Sequence, residues 1–192
     1  MRTFIAIELP EEIETILSRI QDELKQTQAD VKWVKPENIH LTLKFLGEIE
    51  QDLVKQICSI LQELAQKNCI FSLFLSNLGV FPKPQYPRVI WIGVTNHQAV
   101  AEIAKDLEKQ MIKIGLPAET RPFSTHITLG RVRSGLNRRA LVEKIELLNN
   151  NLSSSPQPEF KVPHLTLFKS TLTPRGPIYE VISSYPLKSL LT

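Results

Sequence analysis

Apolar positions along the chain switch repeatedly between a period of two and a period near 3.6, and the switches predict most of its elements. Residues 2–9 alternate and carry β-formers, which predicts a strand. Pro10 then suits a first helical turn, where its missing N–H costs nothing, and Glu11 and Glu12 follow where the helix dipole favours them. Ile13, Ile16, Leu17, Ile20 and Leu24 make one helical stripe. Residues 39–46 predict a strand closing at Gly47, and Leu53, Val54, Ile57, Ile60, Leu61 and Leu64 a second helix. A strand rich in Phe and Leu spans 70–80, and the FPKPQYP segment after it is a proline-stiffened connector.

The plan then repeats. Residues 88–94 predict a strand, and Asn96 caps a helix with Val100, Ile103, Leu107, Met111 and Ile114 inward, stopped by Gly115. HITLGRV is a strand, and Asn137 caps a helix with Leu141, Val142, Ile145 and Leu148 inward. After the loop NNNLSSSPQP, residues 159–168 and 177–184 are the last two strands. At an offset of 86, Arg2 falls on Arg88, His40 on His126, Thr42 on Thr128 and Leu43 on Leu129. At 87 the stripe of the first helix falls on Val100, Ile103, Ala104, Leu107 and Met111. At 89, Phe71 and Leu73 match Phe160 and Val162. The chain is therefore expected to be one unit over 1–192 built by internal duplication, with a lobe boundary near 81–88.

Composition narrows the class. The 192 residues are 42% hydrophobic and 22% charged, enough to bury a core. A net charge of +3 does not by itself mark a nucleic-acid binder. Yet between Glu119 and Lys144 six cations (Arg121, Arg131, Arg133, Arg138, Arg139, Lys144) face two glutamates, so the positive charge is concentrated. Cys58 and Cys69 are expected as reduced, packed thiols. The N-terminus reads unlike a signal peptide, and the longest uncharged stretch, 68–82, is short of the ~20 residues of a membrane helix. A soluble, cytoplasmic protein with no membrane attachment is expected.

Candidate chemistry sits on the two matched strands. In a strand, i and i+2 share a face, so His40 with Thr42, and His126 with Thr128, each present an imidazole and a hydroxyl opposite an apolar side. If a pseudo-twofold relates the lobes, the two polar faces converge on one cleft. Two histidines there suit paired acid–base work, and two threonine hydroxyls suit phosphate oxygens. A single His-x-Thr is weak evidence; two copies equivalently placed are strong.

The pair HLTLKFLG and HITLGR resembles the H-x-T-x signature of the two-histidine phosphoesterase superfamily. Nearest are its RNA 2′,3′-cyclic phosphodiesterases, also called 2′-5′ RNA ligases. The resemblance runs nearly end to end, through MRTFIAIELP, PRVIWIGV and the F-x-V…L-x-x-S-x-L ending. It implies an α+β fold of two pseudo-symmetric lobes, antiparallel sheets facing a central cleft, with helices packed outside. It implies opening of a 2′,3′-cyclic phosphate to a 2′-phosphate, with His40 as proton donor to the leaving 3′ oxygen and His126 as acceptor from water. Thr42 and Thr128 match phosphate-holding threonines. No metal or other cofactor is implied, and the partner is an RNA with a cyclic-phosphate end, tRNA fragments included, bound by a monomer. The family often has proline before the second histidine; here it is Thr125.

Other residues carry weaker signals. Arg131 opposes His126 by strict alternation, yet at a twisting strand end it can reach a phosphate, and it is counted as substrate-binding. Phe45 can stack a base, but alternation assigns it to the core. Phe123 is a candidate base-pocket lining, and Trp33 and Trp91 are expected in the core. His164, in a third His-x-Thr-Leu, is expected to be structural, because the repeat places it on a closing strand; His97 is expected at an exposed helix start. Arg133, Arg138 and Arg139 fit a solvated rim or an RNA contact equally. Neither clustered metal ligands nor a phosphate-cradling G-x-x-x-x-G-K-[ST] is present. Ligation would therefore run the ring opening backwards, without ATP. The rival functions are a non-catalytic RNA-binding module and a phosphodiesterase for another small cyclic nucleotide or a 2′-5′ oligonucleotide.

Overall fold

In the computed structural model, which describes residues 1–189, each apolar stripe is buried where its period places it. The elements in order are β1 (Arg2–Glu8), α1 (Glu11–Lys25), β2 (Val31–Trp33), a 3-10 turn (Pro36–Asn38), β3 (His40–Glu48), α2 (Gln51–Lys67) and β4 (Phe71–Phe81). Then come β5 (Val89–Thr95), α3 (Gln98–Lys113), β6 (His126–Val132), α4 (Arg138–Ser153), β7 (Glu159–Val162), β8 (His164–Thr173) and β9 (Gly176–Pro186). Ile13 and Leu17 of α1, Ile57 and Leu61 of α2, Ile103 and Leu107 of α3 and Leu141 of α4 join one core with Ile5, Leu41, Ile90 and Ile127 of the strands. The helices thus cover one face of the sheet. The other face carries a smaller cluster of Phe4, Ala6 and Phe168.

The fold is α+β, with one antiparallel sheet ordered β7-β4-β5-β6-β3-β1-β8-β9 and β2 laid against β6. From the centre outward, β3-β1-β8-β9 mirrors β6-β5-β4-β7. The halves join through a single Cα pair, Leu41 with Ile127. Beyond that pair β3 parts from β6, and β2 takes the vacated edge through Val31–Val132, Lys32–Arg131 and Trp33–Gly130. Outside the strands, the segment before β4 also meets the segment after β9, where Ile70 N–H donates to Lys188 O at 2.8 Å and Lys188 N–H to Asn68 O at 2.9 Å.

Three local expectations change. The run expected as one strand over 159–168 is two, because Pro163 has no N–H for the ladder; β7 pairs with β4 and β8 with β1. Neither expected asparagine makes a side-chain cap: His97 rather than Asn96 stands at the N-cap of α3, and Asn137 does hold the N-cap position of α4, its carbonyl accepting from Leu141 N–H, but without a side-chain cap bond. Asn96 lies before α3 with φ +58° and donates to Ser72 O, while Asn137, with φ +50°, donates to Gln28 O. Both side chains bind another segment instead of the helical turn that follows them. Cys58 is half-buried with its Sγ 3.4 Å from Ser183 Oγ, but Cys69 is exposed rather than packed. Gly115 does end α3, with φ +90° and its N–H on Ile112 O.

Candidate active site

The two His-x-Thr strands are neighbours at the centre of the sheet. With Leu41 opposite Ile127 in an antiparallel pair, His40 falls beside Thr128 and Thr42 beside His126. All four side chains are half-buried on the face away from the helices, while Leu41 and Ile127 are fully buried in the core. The alternation read from sequence therefore holds over these four residues.

Each histidine is held in the same way. His40 Nδ1 lies 2.8 Å from Asn38 O and His126 Nδ1 lies 2.7 Å from Ser124 O, in both cases the carbonyl two residues back. A carbonyl only accepts, so each Nδ1 is the donor and Nε2 is left for proton exchange. The supports differ. Asn38 belongs to the 3-10 turn, is buried, and its Nδ2 donates to Pro177 O at 3.0 Å. Ser124 lies in an exposed loop steadied further back, where Glu108 of α3 accepts from the Glu119 N–H at 2.7 Å and from buried Lys44 of β3. Burial pushes the Glu108 carboxyl up, but those hydrogen bonds and the Lys44 charge outweigh it and hold the group below its ordinary range.

The rings also stand in different walls. His40 stacks on Phe4 at 4.8 Å, has Phe168 at 6.4 Å, and meets Tyr179 edge-on at 5.4 Å. Phe4 in turn stacks on Phe168 at 5.1 Å. Burial among these rings lowers the His40 pKa, and the Asn38 carbonyl opposes that only in part. Burial raises the Tyr179 pKa while Arg131 and Arg2 pull it down, so the phenol stays neutral near pH 7. His126 has Phe81 edge-on at 5.2 Å and Trp91 at 6.4 Å, and those two stack at 5.0 Å. Trp91 lies so close over Gly79 that a Cβ there would sit 2.3 Å from its Cζ2, which reserves the position for glycine.

Two β-bulges revise the side-chain map. On β3, Ile5 pairs with Lys44 but Ala6 with Thr42, so Leu43 is an extra residue. On β6, Ile90 pairs with Gly130 but Trp91 with Thr128, so Leu129 is extra. An inserted residue reverses the alternation beyond it. Phe45, expected in the core, is 63% exposed on the His40 face, 6.1 Å from Phe4. Arg131 likewise comes round to the face of His126 and Thr128. Trp91, also expected in the core, lines the site; Trp33 packs against the core as expected. Phe123 is exposed just before His126. His164 is exposed at the start of β8, with β1 between it and β3, while Thr166 is buried and donates to Glu8 at 2.7 Å. His97 is exposed and precedes α3 directly.

The aromatic walls were not legible in the sequence, because Phe168, Tyr179 and Phe81 reach the histidines only through the pairing of distant strands. Among the described residues no three His, Cys, Asp or Glu side chains converge as metal ligands, and no helix is long and apolar enough to cross a membrane.

The family model for LigT-like phosphoesterases matches twice, over residues 7–91 and 92–179. An RNA 2′,3′-cyclic phosphodiesterase of Methanothermobacter thermautotrophicus is 38% identical over 97% of this chain and 99% of its own. One from Methanocaldococcus jannaschii is 37% identical over 96% and 100%. Among solved structures, TT0787 of Thermus thermophilus superposes with a TM-score of 0.82 at 26% identity over the whole of both chains. E. coli LigT complexed with 3′-AMP superposes at 0.76, with 26% identity and 97% of each chain covered.

Proposed function

This chain belongs to the LigT-like phosphoesterase family, and from that premise we propose that it opens RNA 2′,3′-cyclic phosphate ends to 2′-phosphomonoesters. The observation that carries this reading is the matched support of the two imidazoles. Each has Nδ1 bonded to the carbonyl two residues back, and each stands beside the other strand's threonine.

In the step we propose, Thr42 and Thr128 hydroxyls hold the non-bridging oxygens of the cyclic phosphate. His126 Nε2 takes a proton from water as the water oxygen bonds to phosphorus. The P–O3′ bond breaks, its electron pair stays on O3′, and His40 Nε2–H protonates that oxygen. The products are a 2′-phosphate and a free 3′-hydroxyl, with His40 neutral and His126 protonated; exchange with solvent restores both. Arg131, on the face of His126, steadies the anion. Both half-sites lie on one chain, so a monomer suffices. We read the chain as a single two-lobed unit of duplicated halves, which the mirrored strand order supports. RNA ends left on tRNA fragments fall within this substrate class.

Incubating an oligoribonucleotide that ends in a 2′,3′-cyclic phosphate tests the reading. The expected product carries a 2′-phosphate alone, and turnover survives excess EDTA. A 3′-phosphate product, or activity lost on chelation and regained with one divalent metal, would overturn it.

A further inference from the structure

The loop between β4 and β5 presents an aromatic ring to solvent that the fold does not need. Pro82, Pro84 and Pro87 stiffen it, the Arg88 N–H closes it on Phe81 O at 2.7 Å, and the Tyr86 N–H bonds Lys83 O at 3.0 Å. Pro87 is buried, but Tyr86 is 61% exposed. Two cations gather on this ring, Arg138 at 5.2 Å from its centroid and Lys83 at 5.6 Å. The loop is fixed to the candidate site at both ends. It begins after Phe81, whose ring is 5.2 Å from His126, and it ends at Arg88, whose carbonyl accepts from Val132 beside Arg131.

Ion pairing selects which cations on this rim remain available. Arg133 is bonded to Asp30, Arg139 to Glu143 and Lys144 to Glu23. Among the described residues Arg131, Arg138, Lys83 and Arg88 have no such carboxylate partner. They follow β6 outward from His126 and Thr128, with Arg131 opposite Val89 and Thr128 opposite Trp91, two residues apart on β5 and so about 7 Å along the strand at ~3.3 Å per residue. A cyclic phosphate closes the 3′ end of an RNA, so the strand leaves the reacting phosphate only through its 5′ side. That side offers a phosphodiester first and a base after it. A positive track followed by an exposed ring in a stiff loop matches this order, and the same pairing serves single-strand binding generally.

We propose that Tyr86, Arg138 and Lys83 form a subsite for the nucleotide on the 5′ side of the reacting end, the ring stacking its base and the cations meeting its phosphate. The subsite rests on the proposed function for its substrate and adds a preference for oligonucleotides over mononucleosides.

The experiment compares kcat/KM for a trinucleotide and a mononucleoside ending in the same 2′,3′-cyclic phosphate. In Tyr86→Ala and in Arg138→Gln the trinucleotide-to-mononucleoside ratio falls about tenfold, within the range of one lost stacking contact, and Tyr86→Phe restores it for the ring. An equal loss on both substrates, or no loss on either, overturns the subsite. A second arm reads binding alone, by anisotropy of a 5′-labelled oligoribonucleotide against salt. Arg138→Gln lowers the log–log slope by about 0.7, one phosphate contact on a single strand; an unchanged slope, or equal competition by polyglutamate, overturns it. Should the wild type turn over neither substrate, the proposed function fails while the anisotropy arm still decides the subsite.

Discussion

The two histidines share one hydrogen-bond design and sit in opposite surroundings. His40 stands among Phe4, Phe168 and Tyr179 above a 3-10 turn pinned by Asn38. His126 stands beside Phe81 and Trp91, behind an exposed loop. The shared bond fixes the tautomer in both rings. Burial among its aromatic neighbours makes His40 reluctant to carry a proton. A donor must be protonated when it acts. An anionic phosphate beside the ring favours the imidazolium, so the substrate itself is expected to charge His40 as it binds.

The largest effects come from removing either ring. His40→Ala and His126→Ala should each cost roughly 10²–10⁴ in kcat, the usual contribution of a positioned acid or base, whereas His164→Ala should cost much less. Equal damage from His164→Ala in a folded protein would bring the third motif into the mechanism.

A pH profile separates the roles. Turnover should follow a bell with a maximum between about pH 6 and 8, and its limbs belong to the coupled pair. His126→Gln should remove the acidic limb and His40→Gln the basic limb. Loss of the acidic limb in the His40 variant would exchange donor and acceptor. The same coupling predicts proton uptake when inorganic phosphate binds near pH 7. Calorimetry in two buffers of different ionisation enthalpy should show it in the wild type and not in His40→Gln.

A smaller effect tests the wall. Phe168→Leu removes a buried ring from the stack on Phe4 and should cost about 1 kcal/mol of stability, close to the value of one aromatic pair. It should also move the basic limb upward, since water reaching His40 relieves its desolvation. Phe81→Leu, at a half-buried ring, should cost less in denaturant titrations and move that limb less. If both variants shift the profile alike, the aromatic asymmetry has no electrostatic role.

The smallest effect is on the stability of the ligand-free protein. A histidine whose folded pKa lies below its unfolded value near ~6.5 leaves the unfolded chain binding more protons. Its stabilising share is thus whole above that value and is lost as pH falls toward the lowered folded pKa. Chemical denaturation across pH 5 to 8 should show this slope, and His40→Gln should flatten it.

Much of this was legible in sequence where a local period governs. The helix stripes and the faces of His40, Thr42, His126 and Thr128 follow from period alone. Phe45 and Arg131 did not, for one physical reason, whereas Trp91 falls on the site face by plain alternation between buried Ile90 and Ile92. An extra residue in a strand is defined by its partner, so Leu43 and Leu129 look ordinary until β1 and β5 are laid beside them. The break at Pro163 is visible as a proline, but not as a change of neighbours from β4 to β1. The expected side-chain caps are missing because the Asn96 and Asn137 amides bind distant backbone, which no local rule describes.

That change of neighbours governs how the molecule can be divided. β2 and β4 come from the first half of the chain, yet they pair in the half-sheet that carries His126. β8 and β9 come from the end of the chain and complete the half-sheet that carries His40. A nick in the exposed loop at Tyr86 would therefore not release two lobes. Each fragment would keep strands that belong to the other's half-sheet, so neither could close its own sheet alone. The cut pieces should travel together as a tight heterodimer, able to reassemble from separate polypeptides and to come apart only when the whole sheet does.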